Sequence, residues 1–127
     1  MKVKGKLKQN KIYVKKSPIH GFGVYADKLI RKGELIEECY AILTPGGDDI
    51  LDDYYFDANG TYAFLTGFGS IYNHDDEPNA NYTINKKTKV ATIVADKQIK
   101  KGEEIFVSYG EEWFTTRKMQ PKQRLKA

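Results

Sequence analysis

Short apolar runs broken by glycine, proline and asparagine, rather than apolar positions three and four apart, follow one another along this chain and predict a mostly β protein. Ile12-Tyr13-Val14 reads as an opening strand before Lys15-Lys16. Ser17-Pro18-Ile19-His20-Gly21-Phe22-Gly23 reads as an open loop ahead of a strand at Val24-Tyr25-Ala26. Arg31-Lys32-Gly33 is a turn, and residues 35–43 make one or two strands, interrupted by Glu37-Glu38 and ended by Thr44-Pro45-Gly46-Gly47. Tyr54-Tyr55-Phe56 is a short strand, which Asn59-Gly60 turns back into Thr61-Tyr62-Ala63-Phe64-Leu65. Residues 80–84 and 89–95 flank Asn85-Lys86-Lys87-Thr88 as a second hairpin, and residues 105–109 are the last strand. Helical signal is limited to one turn at 69–72 and a weak stretch after Glu111.

One segment occurs twice. Residues 26–36 (Ala-Asp-Lys-Leu-Ile-Arg-Lys-Gly-Glu-Leu-Ile) and 95–105 (Ala-Asp-Lys-Gln-Ile-Lys-Lys-Gly-Glu-Glu-Ile) are identical at eight of eleven positions. Two copies are too few for a solenoid, so the repeat predicts two similar strand-turn-strand units, each turning at its glycine.

Residues 67–79 (Gly-Phe-Gly-Ser-Ile-Tyr-Asn-His-Asp-Asp-Glu-Pro-Asn) suit neither a regular helix nor a regular strand. Glycines there allow close backbone approach, and Asn73 and His74 bring donors and acceptors. Backbone of this kind serves a site.

With 127 residues the chain holds one domain. Its formal net charge is +4, with the cations gathered at both ends and acidic pairs such as Asp48-Asp49 and Asp75-Asp76 in the middle. Basic ends can be solvated tails or touch nucleic acid, whereas an acidic middle suits a lysine-rich substrate. We divide the chain into a basic extension at 1–11, a domain at 12–114 and a basic tail at 115–127. Cys39 is the single cysteine, which excludes an intramolecular disulfide and a cysteine-based zinc cluster. The basic start is not followed by an apolar run, so no signal peptide is expected, and no window is long enough to span a membrane.

Gly21-Phe22-Gly23-Val24-Tyr25-Ala26 matches G-x-G-x-x-G/A in letters, but that fingerprint must open a helix in a βαβ unit and here precedes a strand. His74 stands beside Asp75, Asp76 and Glu77, yet consecutive residues converge poorly on one ion and His20 has no spacing relation to them, so no metal is expected. Ser108 lacks the G-x-S-x-G setting of a nucleophile, and Cys39 sits in an apolar strand as an inert thiol. Tyr109, at a strand end before Gly110, can aim its hydroxyl into a pocket or stand as an ordinary edge tyrosine.

His20-Gly21-Phe22-Gly23, then Tyr72-Asn73-His74 with Pro78-Asn79, then Val107-Ser108-Tyr109-Gly110 resemble, in order and spacing, the SET-domain lysine methyltransferases. The resemblance covers about 12–114 and comes nearest to the small stand-alone SET protein of an algal virus, a dimer that methylates a histone tail. It implies a mainly β SET fold: several small sheets, a β-clip, a C-terminal pseudoknot through 67–79 and few short helices. It also implies that S-adenosylmethionine is the cofactor, bound by His20, Gly21, Phe22, Gly23, Asn73, His74, Tyr109 and Trp113. Tyr109 and Tyr54 would be catalytic, and Tyr54, Tyr82, Val107 and Trp113 would line the substrate channel, with Phe114 an alternative to Trp113 as its cover.

The implied reaction is methyl transfer to a lysine amine in a protein, with a histone tail as the expected partner and the nucleus as the compartment if that holds. A homodimer is allowed by the resemblance; a membrane or direct nucleic-acid role is not expected. Two other readings stay open. One is a catalytically silent SET-like module that binds a basic peptide, the other a small basic β protein that binds nucleic acid through its ends.

Overall fold

The computed structural model describes residues 6–45, 55–58 and 61–108. Among the described residues nine strands run in the order β1 (Ile12–Lys16), β2 (Phe22–Ala26), β3 (Leu35–Thr44), β4 (Tyr55–Asp57), β5 (Tyr62–Leu65), β6 (Asn73–His74), β7 (Ala80–Asn85), β8 (Val90–Ala95) and β9 (Glu104–Val107). A 3-10 turn, Gly69–Ile71, precedes β6. The mainly β expectation holds.

The strands form a four-stranded sheet, β1-β2-β9-β6, and a five-stranded sheet, β4-β5-β3-β8-β7. Both hairpins foreseen in the sequence are present, as β4–β5 and β7–β8. In the second, Asn85 Oδ1 accepts from the backbone N–H groups of Lys87 and Thr88, and Lys89 takes a left-handed φ of 59° to close the turn. Strand β2 starts at Phe22, two residues before the predicted Val24, because Phe22 and Gly23 pair with Lys16 and Lys15 of β1. Residues 35–44 are one strand, with a bulge between Leu35 and Glu37 where it meets β8. The bulge turns both Ile36 and Glu37 into the interior.

The two copies of the repeat face each other across a local two-fold relation. Ile30 and Ile99 exchange backbone hydrogen bonds, each 2.8 Å. Ala26 N–H donates to Glu103 O while Gly102 N–H donates to Ala26 O; in mirror fashion Ala95 N–H donates to Glu34 O and Gly33 N–H to Ala95 O. The turning glycines sit at φ 85° and 89°, a region closed to most other residues.

Val24, Ile30, Ile36, Ile93, Ile99 and Ile105 build one core between the sheets. The five-stranded sheet curls until its opposite edges touch. Phe56 of β4 and Tyr82 of β7 pack edge to face with ring centres 4.7 Å apart, a favoured aromatic geometry. Among the described residues no helix is long and apolar enough to cross a membrane.

Candidate active site

Strand β9 draws the sequence-distant motifs together. On one side it pairs antiparallel with β2, Val24 opposite Ile105 and Tyr25 opposite Glu104. On the other it pairs parallel with β6, Asn73 opposite Phe106 and His74 opposite Val107. Parallel neighbours need a long connection, and here residues 75–103 supply it, including the hairpin β7–β8 and the second copy of the repeat. Asn79 then clamps β9 from its side chain: Nδ2 donates to Glu104 O at 2.9 Å, and Oδ1 accepts from Phe106 N–H at 2.8 Å.

Asn73 is nearly buried, and its side-chain amide nitrogen donates to Glu104 Oε2 at 2.8 Å, His20 O at 3.1 Å and Phe22 O at 3.3 Å. One amide thus holds the loop of residues 17–21 against β9. Gly23 is required beside it, because a Cβ there would run into the Glu104 carboxylate and the Asn73 amide. Gly21 is required for a different reason: its φ is 49°, with open space where a Cβ would point.

His20 is exposed and takes part through its carbonyl, whereas the Phe22 ring stands 58% exposed at the rim of this corner. The His74 ring is almost covered and its Nε2 lies 2.8 Å from Asp76 Oδ1. Among the described residues no three histidine, cysteine, aspartate or glutamate side chains converge as a metal site would require. Val107 is wholly buried at the end of β9 and Tyr82 half-buried against Phe56. Tyr54, Tyr109, Trp113 and Phe114 lie outside the described residues, so the arrangement of the catalytic pair and of the channel cover stays an expectation.

Sequence reasoning missed Glu104. Its Oε1 accepts from Ser17 Oγ at 2.8 Å and Tyr25 OH at 3.2 Å, while Oε2 accepts from Asn73 and, at 3.1 Å, again from Ser17. Burial, and then the Glu104 charge, push the Tyr25 hydroxyl pKa up. Lys15 lies over the Tyr25 ring, Nζ 4.6 Å from its centre. The repeat carried the missing signal: where the first copy has Leu35, the second has Glu104.

The corner made by His20, Phe22, Asn73 and Glu104 is rich in acceptors and holds a carboxylate. Such a set of acceptors suits a cationic group such as an ammonium. The residues present therefore fit the amino-acid end of S-adenosylmethionine.

The family model described as SET domain matches residues 21–110. The Schizosaccharomyces pombe histone-lysine N-methyltransferase, H3 lysine-37 specific, is 31% identical over 67 residues, covering 51% of this chain and 46% of that protein. The chain thus spans about half the length of that curated relative. Among solved structures, a Plasmodium falciparum protein assigned as a histone methyltransferase matches with a TM-score of 0.71 at 34% identity, over 84% of this chain and 99% of the other. A chain of ctPRC2, solved in complex with H3K27me3 and H3K27M, matches with a TM-score of 0.66 at 22% identity over 82% of this chain and 15% of its own, a likeness of fold alone.

Proposed function

This chain belongs to the SET domain family, and we propose that it is a protein lysine methyltransferase that uses S-adenosylmethionine and acts on a histone tail. The observation that carries the reading is the meeting of three motifs on β9: Asn73 tied to the carbonyls of His20 and Phe22, and His74 opposite Val107, two residues before Tyr109. When bound, S-adenosylmethionine supplies a methyl group activated by its sulfonium.

The chain's own residues do the rest. Asn73 and the His20 and Phe22 carbonyls would hold the amino-acid end, with the backbone of His74 toward the adenine and Trp113 covering the cofactor. A lysine amine must be neutral to react, and aromatic walls from Tyr54, Tyr82 and Trp113, with Val107 behind, would desolvate it and lower its pKa. Tyr109 would orient the amine for in-line attack. Histone as substrate is supported by the descriptions of the relatives and by the acidic middle of the chain, which suits a lysine-rich tail. That substrate would place the protein in a nucleus, and a homodimer would be one way to complete the substrate surface.

The test is transfer of labelled methyl from S-adenosylmethionine to histones by wild type and Tyr109→Phe. The expected result is label on lysine that falls at least roughly tenfold in the variant, as expected for the loss of one oriented hydrogen bond. Cofactor binding without transfer to any histone or peptide would favour a peptide-binding module instead. Absence of a thermal shift at saturating S-adenosylmethionine would remove the cofactor from the reading.

A further inference from the structure

Glu104 is a carboxylate held by neutral partners. Both oxygens are engaged, by Ser17, Tyr25 and Asn73, and no lysine or arginine of the described residues makes an ion pair with it. A partly buried anion without a counter-cation is costly to keep. Fold alone does not explain it, since the matching position in the first copy of the repeat is Leu35. Gly23 gives up its side chain to make room for the same carboxylate.

We infer that Glu104 is a positioning residue that sets Asn73 and makes this corner selective for a ligand bearing an ammonium group. The inference rests on the methyltransferase reading and deepens it. A carboxylate only accepts hydrogen bonds, so it forces Asn73 to turn its NH2 toward β9, where the His20 and Phe22 carbonyls take the rest of its donor capacity. That leaves Asn73 Oδ1, an acceptor, as what the side chain can offer a ligand. The charge of Glu104, which no lysine or arginine among the described residues pairs with, adds attraction of the same sign. An amide at position 104 would donate as readily as accept, loosening the hold of the Asn73 NH2 on the two backbone carbonyls and removing the charge together.

Calorimetric titration with two ligands separates this role from a structural one. S-adenosylhomocysteine carries the amino-acid end, and methylthioadenosine shares the adenosine and lacks that end. Glu104→Gln is expected to weaken S-adenosylhomocysteine about tenfold, the scale of one charge-assisted hydrogen bond, and to change methylthioadenosine by less than about twofold. In an Asn73→Ala background the same substitution is expected to cost less than in wild type, because the route through Asn73 is gone and only the direct attraction of the charge remains. Glu104→Asp keeps the charge at shorter reach, so its loss is expected to be smaller and confined to S-adenosylhomocysteine. It carries the same comparison if Glu104→Gln is too unstable to titrate. Equal weakening of both ligands, full additivity with Asn73→Ala, or no change at all would overturn the inference while leaving the methyltransferase reading intact. Failure of the wild type to bind either ligand would overturn both.

Discussion

Tyr72 donates its hydroxyl hydrogen to Glu37 Oε1 at 2.7 Å, and both side chains lie wholly inside the protein. Glu37 Oε2 also accepts from Gln9 Nε2 at 2.9 Å and from the Phe68 N–H at 3.0 Å, so one buried carboxylate ties the N-terminal segment and the 67–72 loop to β3. Gly67, with φ 63°, brings its backbone against the same carboxylate, where a side chain would collide. The loop that leads into Asn73 is thereby anchored from beneath.

Tyr72→Phe keeps the ring and removes one donor to this buried charge. Stability is expected to fall by about 1–3 kcal/mol. Urea unfolding should show a lower midpoint with an unchanged slope, since the surface exposed on unfolding is the same.

Cys39 lies beside this cluster, buried, and its thiol pKa is pushed far up, first by burial and then by the Glu37 charge. The thiolate is the reactive form, so the native protein is expected to resist a thiol reagent at pH 8, with modification proceeding at the rate of opening. Tyr72→Phe should accelerate labelling by the factor its stability loss predicts. Rapid labelling of the folded wild type would contradict the burial described.

The strands and both hairpins were legible because apolar alternation and turn residues are local signals, as with Asn85 capping its own turn. Glu37 was not legible as an interior residue. A one-residue bulge places it inside next to Ile36, and period-two alternation has no mark for an inserted residue. Tyr82 meets Phe56 only because the sheet curls on itself, a property of the assembled layers rather than of either strand. The resemblance named His20, Phe22 and Asn73, which the structure brings into hydrogen-bond contact, but Glu104 beneath them was hidden in a mismatch between two otherwise similar segments.

Glu34 should govern part of the acid response. The Arg31 backbone N–H first, then Lys28 and Asn10, hold its carboxyl at about 2, against an ordinary 4.5. A carboxyl pKa lowered on folding stabilises the folded state above the unfolded value, and the contribution is lost as pH falls from about 4.5 toward 2. Glu34 is only partly buried, so solvent screening keeps the effect under about 1 kcal/mol. The melting temperature of Glu34→Gln should lie below wild type at pH 6 and converge with it near pH 2, and added salt should shrink the gap at pH 6. A gap that persists at low pH would show that the contribution is not electrostatic.

Gly21 and Gly23 are two residues apart and should fail for different physical reasons when replaced by alanine. At Gly23 the new methyl meets the Glu104 carboxylate and the Asn73 amide, so it must push that cluster aside at about 1–3 kcal/mol, the usual range for overpacking. At Gly21 it meets nothing, and the cost of about 1–2 kcal/mol is the left-handed backbone alone. Single values of similar size would not tell the two apart, but the Glu104→Ala background does. Removing the carboxylate vacates the space the Gly23 methyl needs, so Gly23→Ala should cost less there than in wild type, whereas the cost of Gly21→Ala should stay the same. Equal coupling of both glycines to Glu104 in this cycle, read by denaturant unfolding, would mean that the loop and the carboxylate respond as one strained unit and not through the contact at Gly23.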